Sequence, residues 1–308
     1  MKLHGIHHVT AITADAAANH DFYTRVLGMR LVKKTVNQDD VSAYHLFYAD
    51  GAGTPGTDLT FFDWPAAREQ RGTNSIVRTG LRVGSDDSLD WWHEKLGPDA
   101  SVSERDGKQI LDFEDPEGQR LSLVVDDEPA TAVWNRSPVP QEHQIHGLGP
   151  VVLSVRKPAS TDRILREMLG FELARSYEWS GRETNVYRCG SAPGAAREIH
   201  LVAEPDAPRA RQGAGAVHHL ALRTTQSDYG AWARHLTESG LPNSGAVDRF
   251  WFRSLYFRDP NGILFEIATD EPGFATDEPM DKLGETLSLP PFLESRRPEI
   301  EAGLKPLA

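Results

Sequence analysis

Two pairs of adjacent histidines and one carboxylate offer the clearest chemistry in this sequence. His7-His8 and His218-His219 each open a strand-like segment in the same register, as IHHV and VHHL. Glu266 stands inside the apolar run ILFEIA, where a carboxylate is costly unless it is paired or bound to a metal. Two imidazoles and one carboxylate form the ligand set of non-haem Fe(II) oxygenases, which leaves coordination positions open for substrate and oxygen.

Strand alternation limits which histidines can share one metal ion. Adjacent residues point to opposite faces of a regular strand, so only one member of each pair can ligate a given ion. His8 shares its face with Thr10, and His219 shares its face with Ala221. The spacing leaves open which member of each pair faces the site. A closed zinc site is disfavoured because the single cysteine, Cys189, has no cysteine partner.

These residues belong to a unit that occurs four times along the chain. Residues 112–127 and 256–271 both indicate a strand, an Asp-Pro-x-Gly turn and a second strand. Residues 22–31 and 164–173 both indicate a helix end, a glycine cap and a strand. The four units, each with a strand, a helix and two or three further strands, are placed at 4–64, 76–127, 145–203 and 215–270.

A polar, proline-rich stretch divides the four units into two halves. It predicts an N-terminal domain of two βαβββ modules at 1–128, a linker at 129–144 and a C-terminal domain of two modules at 145–270. The tail, 271–308, is expected to pack on the body in short turns and one brief helix. The fold class is α+β: the two units of each half are expected to share a curved mixed sheet with helices outside, and its concave face suits a small ligand.

The other histidines are interpreted as surface or packing residues. They are His4, His20, His45, His93, His143, His146, His200 and His235. Among them, His146 and His200 are the strongest spare candidates because both lie on predicted strands of the third unit.

Composition disfavours several classes of partner. The chain has 308 residues, 25% of them charged, and a net charge of −12. An acidic surface repels nucleic acid and anionic membranes, and no apolar stretch approaches the ~20 residues that span a bilayer. The lone cysteine and an N-terminus without an apolar leader lead us to expect a cytoplasmic protein. The sequence leaves open whether it forms a homo-oligomer.

Several stretches together resemble the vicinal oxygen chelate superfamily, and within it the two-domain ring-cleaving dioxygenases that act on hydroquinones and chlorohydroquinones. These stretches are GIHHVTAIT, FYTRVLGMRLVKKTVNQDD, YHLFYADGAGTPGTDLTFF, VHHLAL, DRFWFRSLYFRDPNGILFEIATDEPGF and LSLPPFLESRRPEIE. They span nearly the whole chain. The resemblance implies Fe(II) held by His8, His219 and Glu266, and the same ligands also accept Mn(II).

The resemblance also implies five residues around a small aromatic substrate and O2. They are His7, Thr10, His218, Arg249 and Tyr256. His7 or His218 would take a proton from the substrate hydroxyl, and Arg249 and Tyr256 would orient the ring and stabilise negative charge on oxygen. A bulge or strong twist at the strand start is required if the first histidine of each pair is also to reach the pocket.

Two other functions suit the same fold. A glyoxalase-type lyase or isomerase uses zinc or nickel and a fourth protein ligand, but the position of the first unit that corresponds to Glu266 falls near Phe61 or Phe62, which cannot ligate. A non-catalytic protein that binds a small molecule has no use for a buried ionisable triad. The favoured hypothesis is therefore an Fe(II)-dependent, extradiol-type dioxygenase that cleaves hydroquinone-like or chlorohydroquinone rings.

Overall fold

Each of the four units folds as a βαβββ module in the computed structural model, which describes residues 1–190 and 194–307. The first module consists of β1 (Ile6–Thr13), α1 (Ala16–Asp21), β2 (Arg30–Asn37), β3 (Asp40–Ala49) and β4 (Asp58–Asp63). The second consists of β5 (Ser75–Val83), α2 (Asp86–Leu96), β6 (Ser101–Arg105), β7 (Lys108–Glu114) and β8 (Arg120–Val125). The third consists of β9 (Gly147–Val155), α3 (Pro158–Arg163), β10 (Glu172–Trp179), β11 (Arg182–Arg188) and β12 (Glu198–Ala203). The fourth consists of β13 (Val217–Thr224), α4 (Gln226–Glu238), β14 (Val247–Asp248), β15 (Arg253–Arg258) and β16 (Leu264–Thr269).

The sheets join modules from opposite halves of the chain. In the first sheet, β1 and β13 pair antiparallel at the centre, so the first and fourth modules lie side by side. In the second sheet, β5 and β9 pair in the same way and join the second and third modules. The α+β class, with four modules in two curved mixed sheets, is confirmed. The expectation that the first module shares a sheet with the second, and the third with the fourth, is wrong.

Two connecting segments explain this pairing. Residues 64–74 and 204–216 carry the chain from one sheet to the other, and they pair with each other where Gln70 and Arg211 exchange backbone hydrogen bonds of 3.0 and 2.9 Å. The linker at 129–144 instead connects β8 to β9 within the second sheet. The domain boundaries drawn at this linker stay a prediction, and each sheet takes one module from either side of it.

The Asp-Pro-x-Gly turns reverse the chain as predicted. Gly118 and Gly262 have φ angles of +91° and +94°, a left-handed conformation that glycine adopts without steric cost. The carboxyls of Asp115 and Asp259 accept backbone N–H groups from the residues two and four positions further on. The second of these turns leads into β16 and so places Glu266 within that strand.

The C-terminal tail covers part of the first sheet. Its described part, 271–307, contains short 3-10 turns and α5 (Arg297–Gly303). Phe274 and Leu283 of the tail join an apolar cluster with Phe47 of β3 and with Trp251. Two predicted regions extend beyond the described residues: the tail at Ala308 and the third unit at 191–193.

A buried cation attaches the tail to β2. Lys33 is completely buried. Its ammonium group donates to the carbonyl oxygen of Phe274 at 3.1 Å, to Asp277 at 2.9 Å and to Glu278.

Within the described ranges, no helix is long and apolar enough to cross a membrane.

Candidate metal centre

The three predicted ligands come together at the centre of the first sheet. His8 Nε2 lies 3.3 Å from His219 Nε2. Glu266 Oε2 lies 3.2 Å from His8 Nε2 and 2.9 Å from His219 Nε2. All three side chains are buried, the carboxylate completely. The structure therefore brings together the ligand set that the sequence suggested.

Strand register places the three ligands on one face of the sheet. In the antiparallel pair of β1 and β13, His8 lies opposite Ala221 and Thr10 lies opposite His219. In the parallel pair of β13 and β16, Ala221 lies beside Glu266. Because residues two apart on a strand share a face, both imidazoles and the carboxylate point to the same side.

A threonine occupies the position of the first module that corresponds to the carboxylate. Strand register places Thr60 there, which corrects the expectation of Phe61 or Phe62. The Thr60 hydroxyl is hydrogen-bonded to Thr10 Oγ1 at 2.8 Å and to His45 Nε2 at 3.0 Å. Among the described residues, the cluster of histidine and carboxylate donors on this face has three members.

Both histidine pairs lie at β-bulges. The pairing of β1 with β13 shifts by one residue at His7 and shifts again at His218. A bulge breaks the strict alternation of a strand and redirects a side chain. The irregularity that the sequence required at these strand starts is therefore present in the structure.

The first histidine of each pair lies behind a ligand. His7 Nδ1 is 2.9 Å from His8 Nδ1, and His218 Nδ1 is 2.8 Å from His219 Nδ1. His7 Nε2 also lies 3.2 Å from the carbonyl oxygen of Thr269, which can only accept. His7 therefore carries its proton on Nε2 and accepts from the Nδ1–H of His8. This tautomer leaves His8 Nε2 unprotonated and available to a metal.

The protonation states of the site suit metal binding. Burial and the neighbouring imidazoles lower the pKa of His7 to about 3 and the pKa of His218 to about 3. Burial also lowers the pKa of His219. Burial alone would raise the pKa of Glu266, but the imidazoles of His8 and His219 hold it well below its usual range. Neutral imidazoles beside an ionised carboxylate are the forms that ligate a metal.

The environment of Glu266 tests whether a metal ion fits. Its Oε1 accepts a hydrogen bond from Ser254 Oγ. Its Oε2 is buried and has no well-directed hydrogen-bond donor among the described residues, although two imidazole nitrogens face it. Such an oxygen is costly to leave unpaired. Two ligands about 2.1 Å from an ion and at right angles stand about 3.0 Å apart, so the observed spacing fits a divalent cation held by these three residues.

A narrow cavity of about 30 Å³ adjoins the three ligands. Aromatic and polar side chains of both modules line it: His8, Asn37, Gln38, His45, Phe47, Phe62, His219, Arg249, Trp251, Phe252 and Tyr256. Arg249 and Tyr256 thus line the cavity, whereas His7, Thr10 and His218 lie outside this lining. A space of this size holds a water molecule or two.

His45 is the histidine of this lining that sequence reasoning missed, since it was assigned to the surface or to packing. It lies on β3 two residues before Phe47, which also lines the cavity. Burial, with the nearby His8, lowers its pKa well below the ordinary range. It therefore enters the site as a neutral imidazole, which can accept a hydrogen bond. Alternation along β3 is the only sequence signal that could have placed it on the inner face.

Arg249 and Tyr256 stand together at the outer side of the cavity. The Arg249 guanidinium lies 5.5 Å from the centre of the Tyr256 ring and donates to Asp39 at 2.8 Å. Gln38, in the turn between β2 and β3, donates to the backbone carbonyl of Arg249 at 2.8 Å. This bond joins the turn to the segment that carries Arg249. Burial and the charge of Glu266 raise the pKa of Tyr256. Its phenol therefore stays protonated and can donate to a ligand oxygen.

The fold and this site define a class of protein in which paired βαβββ modules enclose a histidine and carboxylate metal centre. A family profile described as Glyoxalase/Bleomycin resistance protein/Dioxygenase superfamily matches residues 5–69 and 147–267. The chain belongs to this superfamily, and the resemblance to vicinal oxygen chelate proteins is confirmed.

Several relatives are similar over their whole length. The chain is 48% identical to "Putative ring-cleaving dioxygenase MhqA" of Bacillus subtilis, over 100% of both chains. It is 31% identical to "Chlorohydroquinone/hydroquinone 1,2-dioxygenase" of Sphingobium indicum, over 97% of this chain and 95% of that protein. A crystal structure described as a putative dioxygenase from Bacillus subtilis matches with a TM-score of 0.92 and 37% identity, over 99% of this chain and 97% of that one. This solved structure therefore has the same four-module fold.

Proposed function

We propose that this protein is an Fe(II)-dependent ring-cleaving dioxygenase that acts with O2 on hydroquinone-like or chlorohydroquinone aromatics. The observation that carries the proposal is the convergence of three buried ligand atoms, from His8, His219 and Glu266, within 3.3 Å of one another. The names of two similar proteins support the same reaction, and one of them supports the substrate class. Mn(II) would fit the same ligands.

In this site, Fe(II) would supply open coordination positions and electrons for the activation of O2. The residues of the chain would prepare the aromatic substrate. His45 lines the cavity as a neutral imidazole and would accept a hydrogen bond from a substrate hydroxyl. Tyr256 would donate a hydrogen bond to the substrate oxygen, and Arg249 would stabilise its negative charge. Phe47 and Phe252 would exclude water from the ring.

The positions of His7 and His218 favour a different role for them than that of a base. Each contacts the Nδ1 of a metal ligand, and both ring nitrogens of His7 are engaged. We expect them to orient His8 and His219, since residues that hold a ligand in place contribute roughly 10- to 100-fold to metal affinity.

Replacement of His7 distinguishes these roles. His7→Ala should lower the affinity for Fe(II) about 10- to 100-fold, and excess metal should restore most of the activity. The measurement is anaerobic competition with a ferrous chelator, followed by turnover at saturating Fe(II). His235→Ala, on α4, is the matched control and should change neither. Normal metal affinity with activity lost at saturating Fe(II) would instead assign His7 as the base.

Oxygen uptake tests the function as a whole. The full chain is loaded anaerobically with Fe(II) and given hydroquinone or chlorohydroquinone, while oxygen and the absorbance of the ring-opened acid are recorded. We expect uptake by the wild type and by the control His146→Ala, and none by His219→Ala.

Other outcomes separate the competing functions. Tightly bound iron without uptake on these substrates would contradict the substrate class. Turnover of another substrate with zinc or nickel, and without oxygen, would support a glyoxalase-type enzyme, for which Thr60 provides a poor fourth ligand. Failure of the wild type to retain iron would favour a non-catalytic binding protein.

A further inference from the structure

The second sheet repeats the arrangement of the first with different residues at the ligand positions. The central antiparallel pairing and the parallel pairing beside it recur with the same offsets. Register therefore places Arg78 at the position of His8 and His200 at the position of Glu266. Pro150, which cannot ligate, takes the position of the second histidine. This face of the second sheet lines a cavity of about 1130 Å³.

In one group of side chains in this cavity, the charged residues already form hydrogen bonds with one another. Asp106, Glu198 and His200 bring potential ligand atoms within 4.8 Å of one another. However, the Arg175 guanidinium lies between the two carboxylates, with hydrogen bonds of 2.7 and 2.8 Å to Glu198 and of 2.8 Å to Asp106. A cation of the protein already occupies this place, so the group does not form a metal site.

A second group places two guanidinium groups on one carboxylate. Arg78 and Arg105 both donate to the same oxygen of Asp112, the first at 3.0 Å. Ser122 donates to that oxygen as well, at 2.6 Å. Two guanidinium groups thus share one carboxylate here, whereas Asp106 and Glu198 share Arg175. Arg105 is only 8% exposed, so its guanidinium is largely removed from water.

Both guanidinium groups have unused donors. Arg78 Nε and Arg105 Nη1 are buried and have no hydrogen-bond partner within residues 1–190 and 194–307. Burial lowers the pKa of Arg78 to about 10 even though Asp112 opposes this shift. Buried N–H groups are nearly always paired in proteins, so each of these two donors can still take a hydrogen-bond acceptor.

We propose that this cavity is a second small-molecule site, which binds an organic carboxylate through Arg78 and Arg105. The planar fork of a guanidinium matches the two oxygens of a carboxylate. Ile110, Val124 and Val152 line the same cavity and suit the apolar body of such a ligand. The site is separate from the metal centre and does not depend on the proposed ring cleavage.

Calorimetric titration of the full chain with benzoate tests this site. We expect saturable binding with a stoichiometry near one, and binding at least about tenfold weaker for benzamide, which keeps the ring but lacks the charge. Arg105→Gln should weaken benzoate binding about tenfold. Arg105→Lys should give an intermediate affinity, because it keeps the charge without the fork.

Two controls make the result specific. Arg156→Gln removes an exposed arginine outside the cavity and should leave the affinity unchanged. His219→Ala removes a metal ligand and should also leave it unchanged, so failure of this site and failure of the proposed activity are distinguishable. Absence of saturable benzoate binding, equal affinity for benzamide, or unchanged affinity in both Arg105 variants would overturn the proposal.

Discussion

The two sheets have the same module arrangement but differ in the side chains and the cavity on their inner faces. The first places two imidazoles and a carboxylate around one point and leaves a cavity of about 30 Å³. The second places a guanidinium at the corresponding position and leaves about 1130 Å³. The tail packs on the first sheet through Phe274 and Leu283. Strand register thus fixes where functional side chains lie, whereas side-chain identity and the tail decide what the space can bind.

We expect the largest effect on Fe(II) binding when the side chain at the same position of each sheet is replaced by glutamine. Glu266→Gln should weaken Fe(II) binding more than about 100-fold, since even the residues that only orient ligands contribute 10- to 100-fold. His200→Gln, at the matching position of the second sheet, should leave Fe(II) binding unchanged. Anaerobic competition with a ferrous chelator measures both. Equal loss in the two variants would show that the sheets do not differ in the way proposed.

Loss of the Lys33 ammonium group should weaken the attachment of the tail to the first sheet. Lys33→Met leaves the carboxylates of Asp277 and Glu278 without their buried cation, so the free energy of unfolding should fall by about 3 kcal/mol. The adjacent Lys34 reaches only a backbone carbonyl, at 3.4 Å in an exposed place. Lys34→Met should therefore cost less than about 0.5 kcal/mol. Urea unfolding compares the two, and similar losses would mean that the buried pair does not anchor the tail.

At acid pH, protonation of Glu198 should lower the stability of the fold at the second sheet. Burial opposes ionisation there, but Arg175 and His200 lower the pKa of Glu198 from 4.5 to about 2. A depressed pKa stabilises the fold above pH 4.5, and this stability is lost as the pH falls through 4.5 towards 2. Glu198→Gln should therefore lower the Tm at about pH 6 and lower it less at about pH 3. Glu183→Gln, at an exposed position on β11, should show no such trend; a loss independent of pH would point to packing alone.

The candidate metal ligands could be predicted because their signal is local. Two histidine doublets in matching register, together with a carboxylate in an apolar strand, stand out without knowledge of the partner strands. The Asp-Pro-x-Gly turns also depend only on neighbouring residues, and they gave the strand that carries Glu266. The local pattern thus singled out the two histidine pairs and the carboxylate, and the family resemblance supplied the choice of His8 and His219 within the pairs.

The partners of the modules could not be predicted in the same way. Pairing of β1 with β13 joins segments more than 200 positions apart, as the separation of 211 between His8 and His219 illustrates. No composition change marks such a pairing. The first unit also lacks the Asp-Pro-x-Gly turn, so counting from it could not identify Thr60. His45 forms no doublet, and the direction in which it faces is seen in the folded sheet.

The pairing of the first and last modules has a consequence for synthesis on the ribosome. His8 emerges early, but its partner His219 is 211 residues later in the chain. At about 5–20 residues per second, the first module waits roughly 10–40 s for the strand that completes its sheet. During this interval the central edge of β1 is unpaired and open to association with other chains. A nascent chain can therefore bring the three candidate metal ligands together only after the fourth module has emerged.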